Sequence, residues 1–167
     1  MEYGRPIDYL AIAGWVDFNE TVTYAPKLFL KLSGERPPRG SGAQWRTVLH
    51  SLQQGQCFYG KDHDMSDPHV DHFLPWSYVL EDRTWNLVLT CRSCNSSKSD
   101  RLPPLSMMEK LIERNRRLMD ETAKSGGTFH RHFVEWKSRD LAAHVRALHD
   151  QALAEQFPLW SIERRAY

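Results

Sequence analysis

The sequence predicts an α+β fold: a small strand-bearing centre, residues 55–104, set between an N-terminal helical region, 1–54, and a C-terminal helical region, 105–167. Three observations predict it. Apolar residues recur at helical spacing towards both ends of the chain. Between them that spacing gives way to short apolar runs separated by turn residues and proline. The last run leads straight into a Cys-x-x-Cys sequence and a polar stretch suited to a knuckle that opens a short helix.

In the N-terminal region Tyr9, Leu10, Ala13, Val16 and Asp17, then the stretch 26–32, carry a mixed helical periodicity, and Gly34 is a natural C-cap. Residues 35–42, rich in proline and glycine and basic at Arg36 and Arg39, form the best linker, with a short helix expected at 44–53. In the centre, 56–59 and 69–74 read as short strands, the second stopped by Pro75, and 85–89 as a third. The Leu102-Pro103-Pro104 run closes the unit. Beyond it, Ser106 with Glu109 forms a capping-box signature. Met107, Met108, Leu111, Ile112, Leu118 and Met119 share one helical face, opposite Lys110, Arg114, Arg116 and Arg117. After a break at Ser125-Gly126-Gly127, Leu141, Val145, Leu148 and Ala152 mark a second amphipathic stretch. The methionines read as core filling.

Composition excludes several classes. Apolar residues make up 41%, enough for a packed core, so wholesale disorder is not expected. No stretch approaches the ~20 apolar residues of a membrane span, and the start lacks a secretory pattern, so a cytoplasmic protein is expected. Three cysteines, an odd number, argue against a disulfide framework, and the Cys91-x-x-Cys94 pair points to metal. Lys and Arg total 22 against 21 acids, a net charge of +1, so tight non-specific binding to nucleic acid is not expected.

The chemistry lies in residues 69–101, HVDHFLPWSYVLEDRTWNLVLTCRSCNSSKSDR. Phosphodiester hydrolysis needs a base for water and a cation for the phosphate and leaving oxygen. Asp71 and Asn95 offer oxygen ligands suited to a hard ion such as Mg²⁺, with coordination positions left open. His72 is the natural base. Neighbours on a regular strand point to opposite faces, so Asp71 and His72 can share a cleft only if the strand ends, twists or bulges there.

The order Asp71-His72, Asn86, Asn95-x-x-Lys98 resembles the HNH endonuclease family, in the variant found in CRISPR RNA-guided effector nucleases. The resemblance covers residues 57 to about 103 and implies a ββα-metal core. It implies that Asp71 and Asn95 bind the catalytic Mg²⁺ or Mn²⁺ and that His72 deprotonates the attacking water. It further implies that Asn86 supports the His72 loop, that Lys98 lies near the centre in reach of phosphate, and that products carry a 5′-phosphate and a 3′-hydroxyl. Many members brace the fold with zinc held by two Cys-x-x-Cys pairs. Here Cys57-Phe58-Tyr59 runs into Gly60 where such sequences commonly place the second cysteine. Three readings stand: a site of Cys57, Cys91, Cys94 and His63, a weakened three-ligand site, or no zinc, with the first preferred. Asp62, Asp64 and His69 are weaker substitutes for His63.

Other residues carry ordinary readings. His50, His144 and His149 are expected at the surface or an interface. His130 and His132 are less expected to meet phosphate than to be plain surface residues. His69 shares a strand face with Asp71 without a firm role, and the arginines 114, 116 and 117 either track phosphate or form a solvated face. The leading function is an endonuclease acting on DNA, with RNA the alternative substrate, in a bacterial restriction or phage-defence setting. It nicks one strand at a time, so a double-strand break calls for a homodimer or repeated nicking. The competing reading is a partner-gated or inactive nucleic-acid-binding scaffold.

Overall fold

The computed structural model describes residues 11, 13–16, 27–34, 36–38, 40, 42–125 and 140–161. Helix α1, Leu28–Ser33, ends on Gly34 in a left-handed conformation (φ 73°) that glycine adopts without penalty. Gly42, also left-handed, turns the chain into α2, Ala43–Leu52, close to the expected span. Strand β1, Pro68–His72, pairs antiparallel with β2, Leu87–Cys91, placing Asp71 opposite Val88 and His72 opposite Leu87. Between them lie a one-turn helix α3, Trp76–Val79, and a 3₁₀ turn, Thr84–Asn86. Helix α4, Arg92–Lys98, follows β2 directly. Helices α5, Leu105–Ser125, and α6, Leu141–Ala154, pack against each other, and the Asp140 carboxylate caps α6 by accepting from the Ala142 and Ala143 amides. The mixed fold is therefore α+β, with a two-stranded sheet followed by a short helix. No described helix is long and apolar enough to cross a membrane.

All five residues of β2 are buried, and their alternation explains how. Leu87 and Leu89 pack on Trp45 and Leu49 of α2. Val88 belongs to the larger core, with Phe58, Phe73, Leu111, Ile112 and Val145. Each strand face thus meets helices. Gln53, just past α2, binds Leu89 from the side: its amide oxygen accepts from the Leu89 N–H at 2.8 Å and its Nε2 donates to the Leu89 carbonyl at 2.7 Å.

Several expectations are corrected. Residues 56–59 form no strand. They belong to a tight turn closed by a Cys57–Gly60 bridge, joined to the sheet main chain to main chain by a bond from Phe58 N–H to the Leu89 carbonyl. The second strand stops at His72, and the third begins at Leu87, because Thr84–Asn86 is wound into the 3₁₀ turn. Helix α5 begins at Leu105, so Ser106 lies inside its first turn, and Glu109 pairs outward with Arg146 at 2.8 Å; no capping box forms. Arg114 is buried, not on the solvated face: its guanidinium donates to the carbonyls of Trp85 (3.0 Å), Leu87 and Thr84 and to the Asn115 side chain. Turned inward by the helix, it meets the Leu87 carbonyl and adds a second donor to those of Thr84 and Trp85, which also accept from Leu87 N–H and Asn115 Nδ2. His149 is fully buried, with Nε2–H directed at the Pro103 carbonyl (3.0 Å). Tyr9, Leu10, Asp17, Gly126, Gly127, His130 and His132 lie outside the described residues.

Candidate metal centre and active-site cleft

The β2–α4 junction carries Cys91 and Cys94, the 57–60 turn carries Cys57, and the following loop carries His63. Their ligand atoms all lie within 4.8 Å of one another. His63 Nδ1 stands 3.2 Å from Cys94 Sγ and 3.7 Å from Cys91 Sγ. Main-chain amides point at the sulfurs: Cys91 N–H donates to Cys57 Sγ (3.4 Å) and Cys94 N–H to Cys91 Sγ (3.3 Å). Donors of this kind favour the thiolate. The Cys57 thiol is drawn well below its ordinary range, chiefly by a hydrogen bond from the Cys94 thiol and against the opposing effect of burial, while Cys94, as that donor, is pushed up. Three sulfurs and one imidazole lie close enough to hold a metal ion, and they are the ligand types a structural zinc takes.

Gly60 explains how His63 enters. A Cβ at position 60 would run into the His63 imidazole. The position where a second cysteine was expected is thus a side-chain-free gap, and the imidazole fills it.

The second site is a cleft of about 390 Å³ whose lining includes Asp71, His72, Asn95, Lys98, Asp100 and Arg36. Asp71 and His72 both line it, as the last two paired positions of β1. Asp71 is 4% exposed. Its Oδ2 accepts from the Tyr59 hydroxyl at 3.0 Å and lies 3.2 Å from Lys98 Nζ. Burial, reinforced by the Asp71 carboxylate, pushes the Tyr59 phenol well above its ordinary range, so it remains a donor. Asn95 sits on α4, half-buried, in the same cleft. One carboxylate and one amide give hard oxygen donors, distinct from the sulfur set of the knuckle, and fit a hard divalent ion.

Lys98 is fully buried. Its ammonium donates to the His72 carbonyl at 2.7 Å and pairs with Asp71, so it is engaged with the site's own groups instead of reaching outward to phosphate. Asn86, also fully buried, binds the main chain of Leu74 twice, accepting from its N–H (2.8 Å) and donating to its carbonyl (3.0 Å). That fixes the turn two residues after His72. His69 bonds Asp67 at 3.1 Å and is not among the cleft residues.

Three residues at this site were missed by sequence reasoning: Tyr59, which donates to Asp71, Asp82 and Arg36. Asp82 Oδ1 accepts from His72 Nε2–H at 2.7 Å. Arg36 is an exposed cation on the cleft wall, and among the described residues no ion pair holds it. The sequence marked Arg36 only as a basic linker position, and no spacing rule ties Asp82 to a histidine ten residues earlier.

Residues 61–104 match the family model for HNH endonucleases. Over 69 residues the chain is 38% identical to the CRISPR-associated endonuclease Cas9 of Listeria innocua serovar 6a, an alignment covering 39% of this chain and 5% of that relative's length. The central segment is thus similar to HNH endonucleases over residues 61–104, and the chain spans about 5% of the length of the relative it matches.

Proposed function

We propose that the chain is a metal-dependent endonuclease that hydrolyses phosphodiester bonds in DNA. The observation that carries this reading is the shared cleft of Asp71, His72 and Asn95 within an HNH segment. Asp71 and Asn95 would hold a Mg²⁺ or Mn²⁺ ion, which would supply charge neutralisation at the phosphate and leaving oxygen. Tyr59 and Lys98 hold the Asp71 carboxylate in place. His72 accepts the proton of the attacking water, and Asn86 keeps its turn rigid. Arg36 is the cation we assign to the substrate phosphate. At the knuckle, Cys57, His63, Cys91 and Cys94 would hold a zinc ion that would brace the fold.

A partner-gated form is the second reading, favoured by one observation: Asp71 and His72 are only 4% and 5% exposed. Reactive groups that deep need a defined approach of substrate. A bacterial defence setting and a cytoplasmic location fit either reading.

The test is nicking of supercoiled plasmid with Mg²⁺ or Mn²⁺ by the wild type, His72→Ala and Asn95→Ala. Metal-dependent cutting abolished in both variants supports the endonuclease. Cutting that survives His72→Ala would overturn the assignment of the base, and inactivity of a folded wild type in both metals would move the weight to the gated reading.

A further inference from the structure

Asp82 lies on the loop after α3, outside the residues that the family pattern singled out. One of its oxygens, Oδ1, accepts from His72 Nε2–H at 2.7 Å. The other, Oδ2, accepts from the Gly40 main-chain N–H at 3.0 Å. Gly40 belongs to the irregular segment before α2, well ahead of the HNH match at 61–104. Its lack of a side chain is what permits the approach, since a Cβ there would lie 2.6 Å from Asp82 Oδ2. Asp82 thus bridges the cleft histidine and a segment outside the nuclease motif.

We propose that Asp82 is a positioning residue that fixes the ring orientation and tautomer of His72, and that Gly40 holds Asp82 in register for that task. This rests on the nuclease reading above. A carboxylate is an acceptor only, so the ring nitrogen facing it must carry the proton. With Nε2 protonated, Nδ1 presents a lone pair, the state a general base needs to take a proton from water. The proton taken from water then resides on Nδ1, and the Asp82 carboxylate stabilises the resulting imidazolium through the Nε2–H bond.

The Gly40 amide makes the idea sharply testable. In Asp82→Asn the single amide oxygen can serve only one of the two donors, and serving the Gly40 N–H turns the NH₂ to His72. That NH₂ can only donate. His72 Nε2 must then accept, its proton moves to Nδ1, and the base is lost. Asp82→Ala imposes no tautomer and leaves a mixture. The near-isosteric amide should therefore harm catalysis more than the truncation, the reverse of what a packing role predicts.

The experiment measures kcat and KM for nicking by the full chain in wild type, Asp82→Asn, Asp82→Ala and Gly40→Ala, with ring ¹⁵N shifts of His72 recorded on the same proteins. The expected result is a kcat loss on the order of a hundredfold or more in Asp82→Asn with KM unchanged. A smaller loss is expected in Asp82→Ala, and in Gly40→Ala, where the carboxylate is displaced. The His72 proton should sit on Nε2 in the wild type and on Nδ1 in Asp82→Asn. Asp82→Asn activity equal to or above that of Asp82→Ala, or Nε2 still protonated in Asp82→Asn, would overturn the proposal. If the wild type cuts nothing, the nuclease reading fails by itself, and the nitrogen shifts still decide whether Asp82 governs the tautomer.

Discussion

Lys98 Nζ stands 3.2 Å from Asp71 Oδ2, with 0% and 6% of the two side chains exposed. An ion pair so withdrawn from water adds little net stability as a pair, but removing one member strands the other. Lys98→Ala should cost about 3–5 kcal/mol by that argument. Urea unfolding would measure it. A loss well under 1 kcal/mol would mean that water already reaches Asp71.

Asn86 makes both bonds of its amide to Leu74 and has no exposure. Asn86→Ala leaves a buried main-chain N–H and carbonyl without partners, a cost of about 1–3 kcal/mol for each stranded group. Asn86→Asp should fare little better, since a carboxylate cannot donate to the Leu74 carbonyl. Thermal unfolding of both variants checks the ranking. An Asn86→Asp protein as stable as wild type would contradict it.

The knuckle predicts one tightly bound zinc per chain. His63→Ala should lower the stoichiometry or the affinity, and so should Gly60→Ala, whose new methyl group occupies the space of the imidazole. Chelation should lower the unfolding temperature, because affinity for a structural ion is folding free energy. Acidification works in the same direction: thiol and imidazole ligands bind only when deprotonated, so affinity falls as pH falls. Metal analysis and competition with a chromogenic chelator at two pH values would read all three effects. Unchanged zinc content in His63→Ala removes that residue from the ligand set.

Arg36 and Arg114 should separate cleanly. Arg36→Ala should weaken DNA binding and raise KM, with more salt mimicking the change, while leaving unfolding nearly untouched. Arg114→Ala removes a buried donor to several carbonyls and should cost about 2–4 kcal/mol of stability. Filter binding at two salt concentrations alongside urea unfolding distinguishes them. A stability loss confined to Arg36→Ala would reverse both assignments.

The parts of this arrangement legible in the sequence were those set by local spacing. The Cys91-x-x-Cys94 turn, the Gly34 cap and the apolar faces of α5 and α6 depend on residues a few positions apart, so periodicity finds them. The mixed fold follows from the same signals. Long-range polar contacts were not legible. The Gln53–Leu89, Arg114–Leu87 and His72–Asp82 bonds join residues that no periodic rule connects, and each exists because a buried group needs a partner wherever the fold brings one. Arg114 misled for that reason: its helical position reads as solvent-facing, and the carbonyls it meets lie elsewhere in the chain. The shortened strands have a similar cause, since the turns that support His72 and the cysteines take residues that composition alone would give to a sheet.

Trp160 bears on how portable the segment 61–104 is. Its ring meets Tyr59 edge-on at 4.8 Å, and its main-chain N–H donates to Leu102 at 2.7 Å, while Leu102 donates in turn to Pro158. Tyr59 is the residue that donates to Asp71. A cassette cut at residue 104 would strip the indole from the back of the phenol and leave Leu102 with two unanswered main-chain groups. Transplanting the motif into another protein therefore means carrying its distal strap along with it.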